Sequence, residues 1–266
     1  MASVDHNIIG MGALGRALRP LVPETSKVVF FCVKAFDLKQ ALIEQHQKWP
    51  MDIPFITLCN GYIYQIVSSL ETQLAGRTVR LGMTTMGATL MQNGDVRVFR
   101  DGALTCWGPK PDETDDRLRP TKDEKDLIKS NQGWSWYDDM SSVLQKKWVF
   151  NATLNTLSAA LELSRNGLLH DHVETAESVL QESMELSEKL WSIRLAQEVK
   201  STWHDDFWGL VSKTSQNENS MARDVRLGRP TESEYLAGMA SRYDGFPYLK
   251  KYHEQITNMR FHKDEV

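Results

Sequence analysis

Two features set twelve residues apart constrain this chain more than anything else in it: "GMGALG" at residues 10–15, and the apolar run "VVFFCV" that starts at Val28. Gly10, Gly12 and Gly15 stand in the G-x-G-x-x-G spacing, behind Ile8 and Ile9 and ahead of a helix-like segment. In a dinucleotide-binding turn the first glycine permits the tight reversal. The second lets the backbone approach a pyrophosphate, and the third lets the helix pack against the strand. A purely structural strand–helix turn is the other reading of the same residues. The interval that follows is short. Pro20 and Pro23 stop the helix after about one and a half turns. No second strand fits between residues 16 and 27, so no side chain at such a strand end is there to hold a ribose.

Beyond this turn, short apolar runs alternate with helical stretches. "VVFFCVKAF" is continuous enough for a strand buried on both faces, "FDLKQALIEQ" has helical spacing, and "PFITLCNG" is a second buried strand. "YIYQIVSSLETQL" is predicted helical. "RTVRLGMTTMGATL" and "GDVRVFRDGALTCWG" are predicted strands, with turns at Asn93-Gly94 and Asp101-Gly102. Such alternation implies an α/β layer with parallel strands. The polar stretch at residues 109–126 is expected to be an exposed loop leading into a solvated helix, and "NQGWSWYDDM" a further short strand. From Ser141 onward the pattern is helical, with further helices expected near 217–228 and 231–243. The domain boundary therefore falls at residue 140, with an α/β part at 1–140 and an all-α part at 141–266.

Composition excludes several classes of function. The 266 residues suffice for a substantial core, with 41% hydrophobic and 25% charged residues. A net charge of −4 with scattered basic residues does not suit nucleic acid. No apolar run approaches the ~18 residues of a membrane span. Cys32, Cys59 and Cys106 lie far apart without zinc spacing, and they read as free thiols in a reducing, cytoplasmic interior. The start, "MASVDHNIIG", shows neither a signal-peptide nor a transit-peptide pattern.

In "KKWVFNATLNTLSAALEL", Lys147, Asn151 and Asn155 fall at i, i+4 and i+8, along one face of an otherwise apolar helix. Burying an unpaired amide costs about 1–3 kcal/mol, and a charge more. Such residues face each other, the backbone or a ligand. Structural hydrogen bonding is one reading. The other is an amide-lined pocket with one ammonium, suited to a small polar carboxylate or keto acid. Downstream, Asn166-Gly167 resembles a helix C-cap, Thr231 in "PTESE" resembles an N-cap, and Ser220, Asp224 and Glu232 are polar residues on the last helical segments.

In order along the chain stand "GMGALG", "VKAFDL", "CNG", "GMTTMGA", "GDV", "KKWVFNATLNTLSA", "NGLL", "NSMARDVRLGRPTESEYLAG" and "GFPYLKKYHEQI". This ordered set resembles the ketopantoate reductase (2-dehydropantoate 2-reductase) family over nearly the whole chain. The resemblance implies an α/β Rossmann-like N-terminal domain, here truncated and missing the second-strand region, plus an all-α C-terminal domain. It implies NADPH-dependent reduction of 2-dehydropantoate to (R)-pantoate, a step toward pantothenate, or of a related keto acid. By matching positions, Lys147 is the implied catalytic proton donor, and Asn151, Asn155, Asn166 and Ser220 the substrate-binding residues. Gly10, Met11, Gly12, Ala13, Leu14, Gly15, Lys34, Asn60, Ala88 and Glu232 are the implied contacts to NADP(H). The expected partner is a small keto acid, with neither nucleic acid nor membrane, and a homodimer is the assembly to test for.

Family members carry a second strand, with a residue near the NADP 2′-phosphate, where this chain has residues 16–27. Three accounts of that difference stay open: an incomplete or mis-spliced version of an active enzyme, a divergent reductase that grips its cofactor mainly at the nicotinamide end, or a non-catalytic binding protein on the same scaffold.

Overall fold

In the computed structural model, residues 7–91, 93–99, 103–111, 113 and 115–261 are described. The chain divides into two compact units, Met1–Leu144 and Gln145–Val266. The first unit is built on a six-stranded sheet. Strands β1 (Ile8–Ile9), β2 (Val29–Phe31), β3 (Phe55–Thr57) and β4 (Val79–Thr84) run parallel in that spatial order. A separate antiparallel pair, β5 (Gly87–Leu90) and β6 (Val96–Phe99), lies against helix α1 (Ala13–Leu18). The main sheet continues with β7 (Thr105–Gly108), antiparallel to β4, and β8 (Trp134–Trp136), parallel to β7. The α/β layer expected from the alternation is present. Among the described residues β1 has one neighbour only, so the side on which a second strand would pair is an open edge.

Several elements are shorter than their sequence pattern. The run "VVFFCV" contributes three strand residues, because β1 offers two residues to pair with and β3 three. Helix α2 (Ala35–His46) then starts directly after Lys34. Helix α3 is one short piece, Tyr64–Ser68, and the rest of its predicted length is turn. The Asp101-Gly102 turn lies outside the described residues.

Apolar side chains are buried on both faces of this sheet, Phe31 and Phe55 on one and a larger aromatic cluster on the other. Phe30, Trp107 and Trp134 meet edge-to-face with ring centroids 5.6–5.7 Å apart. Leu18, Ile56 and Leu127 join the same cluster. The expectation of a solvated helix after residue 109 needs correction. Helix α4 (Lys122–Ser130) opens on a capping box in which Thr121 and Glu124 satisfy each other's backbone N–H groups. Glu124 is fully buried. Its Oε1 accepts from Arg80 Nε at 3.3 Å and from Trp107 Nε1 at 3.0 Å. Arg80, also buried, donates to the backbone carbonyls of Arg117 and, at 2.8 Å, Arg119. A charged stretch that looks exposed by composition is thus pinned to the sheet by one buried ion pair.

The second unit contains most of α5 (Ser141–Ala160), then α6 (Val173–Trp191), α7 (Gln197–Lys213), α8 (Ser220–Arg226) and α9 (Pro247–Phe261). Helices α7 and α9 do not stand out in the sequence pattern. The segment near 231–243 is not an α-helix but two 3₁₀ pieces, Ser233–Tyr235 and Ala237–Arg242. Thr231 does not cap it; its buried hydroxyl has no partner among the described residues. Asn166-Gly167 is no C-cap either. It opens the 3₁₀ helix Asn166–His172, and the left-handed residue after α5 is Glu162. A Cβ on Gly167 would come within 2.9 Å of Ser215, so this glycine serves close packing. No described helix is long and apolar enough to cross a membrane.

Candidate active-site residues in the two units

In the first unit, the carboxyl ends of three neighbouring parallel strands bring together Gly10 after β1, Lys34 after β2 and Asn60 two residues beyond Leu58, which follows β3. Open α/β sheets bind ligands at this edge. Gly10 has φ +93°, and a Cβ there would press on the Cys32 carbonyl and on Val33 Cγ1 at 2.8 Å. A Cβ on Gly15 would overlap the Gly10 carbonyl, which is the close helix–strand approach that the third glycine allows. A Cβ on Gly12 would meet nothing within 4 Å. The middle glycine therefore faces open space, with Met11 exposed beside it. Ala13 and Leu14 begin α1 and are half-buried, and Leu14 and Ala88 on β5 both pack against the core cluster.

In the second unit, the face of α5 that carries Lys147, Asn151 and Asn155 passes from half-buried at Lys147 and Asn151 to buried at Asn155. The flanking side chains hold the helix from other directions. Gln145 Nε2 donates to Ser187 Oγ at 3.1 Å, Thr153 to Ser183 at 3.1 Å, and Trp148 Nε1 to the Tyr235 carbonyl at 3.0 Å. Lys146 pairs with Asp206 at 2.5 Å. Ser158 continues the stripe on the same helix face. It is fully buried, and its hydroxyl is unpaired among the described residues. Its spacing three residues after Asn155 was the available signal, hidden by how common serine is in helices.

Asn166 is joined to Asn219, the residue before Ser220. Asn166 Nδ2 donates to Thr214 Oγ1 at 2.9 Å, and Asn219 Nδ2 reaches Asn166 Oδ1 at 3.4 Å. Asn219 also caps α8 by accepting from the Ala222 N–H at 2.9 Å. Ser220 follows it and is exposed, whereas Asp224 and Glu232 are buried carboxylates. The carboxamide of Asn166 is thus already braced by its own unit.

Other titratable groups fall outside these clusters. Cys32 is half-buried as a residue, yet its thiol is enclosed, and that burial pushes its pKa up to about 12. A shift in that direction works against a nucleophilic role. No group of three or more metal-ligating side chains occurs among the described residues.

Comparison with known proteins decides the ancestry. A family profile described as Ketopantoate reductase PanE/ApbA matches residues 18–108, and its C-terminal counterpart matches residues 139–243. The chain belongs to the ketopantoate reductase family. The 2-dehydropantoate 2-reductase of Shigella flexneri is 22% identical over 218 residues, covering 82% of this chain and 67% of the relative. That of Pyrococcus horikoshii is 25% identical over 180 residues, covering 64% of this chain and 54% of the relative. Among solved structures, a ternary complex of D-mandelate dehydrogenase with NADH and anilino(oxo)acetate superposes with TM-score 0.79 at 17% identity, covering 97% and 98% of the two chains. A PanE/ApbA family ketopantoate reductase from Ralstonia eutropha JMP134 gives 0.73 at 19% identity, covering 92% and 78%. These likenesses carry the ketopantoate reductase fold, Rossmann-like first and helical second. The first profile match begins after the glycine turn, so the turn's assignment stands on its own geometry.

That geometry fits a nicotinamide dinucleotide in part. The turn leaves Gly12 open, and Lys34 and Asn60 stand at the adjacent strand ends. Among the described residues, no strand pairs with β1 on the side where one would carry the adenosine ribose.

Proposed function

We propose that the protein reduces a small 2-keto acid, foremost 2-dehydropantoate to (R)-pantoate, with NADPH as the reductant. The observation that carries this reading is the stripe of one amine and two carboxamides at i, i+4 and i+8 on α5, inside the part of the chain that matches the family. Gly10, Met11, Gly12, Ala13, Leu14 and Gly15 would hold the pyrophosphate, and Lys34, Asn60, Ala88 and Glu232 the remainder of the cofactor. When bound, NADPH supplies a hydride to a ketone carbon.

The protein's own part is electrostatic and geometric. Negative charge builds on the carbonyl oxygen as the carbon is reduced. The Lys147 ammonium stabilises that charge and passes its Nζ proton to the oxygen. Asn151 and Asn155 orient the substrate's hydroxyl and carbonyl side without competing for the proton. Asn166 and Ser220 serve the carboxylate. Burial along α5 keeps bulk water from weakening these contacts. The three free cysteines support a reducing, cytoplasmic setting. A ketopantoate reductase described as dimeric, from Staphylococcus aureus, supports testing for a homodimer.

The open edge of β1 favours a second reading, a cofactor-impaired binding protein on the same scaffold. Titrating the purified protein with NADPH and following nicotinamide fluorescence separates the two. Binding, followed by turnover of 2-dehydropantoate or of an aryl keto acid, supports the reductase. No binding at millimolar NADPH overturns it in favour of the second reading.

A further inference from the structure

Glu232 is buried, and it opens the 3₁₀ turn Ser233–Tyr235. The Tyr235 N–H donates back to the Glu232 carbonyl at 3.0 Å, so the end of the turn fixes its beginning. Two helices of the same unit grip this turn. From α5, Trp148 Nε1 donates to the Tyr235 carbonyl at 3.0 Å. Trp148 is itself buried, with its ring centroid 5.9 Å from that of Trp191, which sets the direction of the indole N–H. From α9, His253 Nε2 lies 3.3 Å from Glu234 Oε2. Both groups lie over Gly238. A Cβ there would come within 2.8 Å of His253 Cε1 and 3.1 Å of Glu234 Oε2, so the missing side chain is what lets the imidazole reach the carboxylate.

The His253–Glu234 pair is poorly suited to adding stability. Glu234 is 60% exposed, and exposed ion pairs contribute little to folding. His253 Nδ1 is buried without a partner among the described residues, which works against the folded state. Orientation is the use that remains. We propose that Trp148 and His253 are positioning residues for Glu232, holding the turn behind it from two sides so that its carboxylate meets a donor group of the dinucleotide. This rests on the nicotinamide-dependent reading given above, in which Glu232 contacts the cofactor. An ionised carboxylate only accepts, so the group it meets is a hydroxyl or an amide N–H, and such a contact tolerates little misplacement. Trp148 directly follows Lys147 in α5, so the proposed proton donor and the proposed cofactor contact share one support.

Titration of the whole chain with NADPH, followed by nicotinamide fluorescence, tests the inference without requiring turnover. Trp148→Phe and His253→Leu are each expected to weaken NADPH binding by about threefold to tenfold, the scale of one lost hydrogen bond. His253→Gln keeps a donor toward Glu234 and should recover most of the loss, which a purely apolar packing role would not allow. In a Glu232→Gln background, Trp148→Phe and His253→Leu should add little further loss, because residues that act through one group are not additive. Trp148→Phe leaves the Tyr235 carbonyl without its donor and should melt lower than the wild type. The His253 variants, expected to melt close to the wild type, carry the test if it fails to fold. Wild-type affinity in the His253→Leu variant, or losses that add in full to that of Glu232→Gln, overturn the inference while leaving the reductase reading intact. Wild-type affinity in Glu232→Gln removes Glu232 from the cofactor and overturns the inference with it, while the role of Lys147 stands. Failure of the wild type to bind NADPH at millimolar concentration overturns both.

Discussion

Lys147 is a half-buried cation on a helix whose neighbouring positions are mostly buried and apolar, and the proposed function makes it the proton donor. Lys147→Ala is expected to lower kcat by about 100-fold or more, the usual scale for losing a positioned proton donor. NADPH affinity should stay close to wild type, and steady-state kinetics beside fluorescence titration would check both. The glycines make a different kind of prediction. Gly15→Ala forces a Cβ into the Gly10 carbonyl and should cost about 1–3 kcal/mol of stability, as overpacking does, read from the midpoint of urea unfolding. At Gly12 the space is open, so an alanine there should leave stability nearly unchanged and act on cofactor affinity instead. These two outcomes separate a packing glycine from a ligand-approach glycine within one motif. The sequence placed all three glycines; the atoms each Cβ would meet came only with the fold.

Single interactions hold several elements. Glu124 joins α4 to the sheet through buried Arg80, and removing one partner of such a pair costs about 3–5 kcal/mol. Glu124→Gln should therefore lower the unfolding midpoint markedly, and guanidinium unfolding would measure it. Between α6 and α7, His204 bonds Asp205 at 3.2 Å and Glu177 at 2.9 Å, and Trp208 Nε1 donates to the same Glu177 oxygen at 2.6 Å. The bond to Asp205, and then the attraction of Glu177, raise the His204 pKa above 6.5 despite desolvation. The folded state holds this proton more tightly than the unfolded chain. Its stabilisation is full below 6.5 and fades as pH rises through the raised value. His46 behaves oppositely. Burial, then the Arg77 charge, lower its pKa, and Arg77 Nε donates to its Nδ1 at 3.2 Å. Its contribution is full above 6.5 and is lost as pH falls through the lowered value. NMR titration of the two imidazoles should show midpoints on opposite sides of 6.5. His204→Gln should remove the high-pH decline in stability.

For the molecule as a whole, ligand linkage offers the broadest check. A cofactor that binds only the folded chain adds about 2.7 kcal/mol at one hundred times its Kd, so NADPH should raise the melting temperature and an unrelated nucleotide should not. Much of the architecture was legible beforehand because it is written in short-range spacing. The glycine turn, the alternation of apolar runs with helical stretches, and the i, i+4, i+8 stripe of Lys147, Asn151 and Asn155 need only neighbours along the chain. The rest depends on partners far away in sequence. "VVFFCV" looks like a six-residue strand, but only Val29–Phe31 stand in paired register with β1 and β3. Glu124 sits in a charged stretch that composition marks as solvated, and it is buried because Arg80, 44 residues earlier, needs a counter-charge. By itself, then, the sequence determined the order of layers and the local constellations, since propensity and periodicity act over a few residues. Only the tertiary structure decided that β1 ends the sheet with an open edge and that Trp148 and His253 grip the turn behind Glu232, because strand neighbours and side-chain reach are settled by long-range packing.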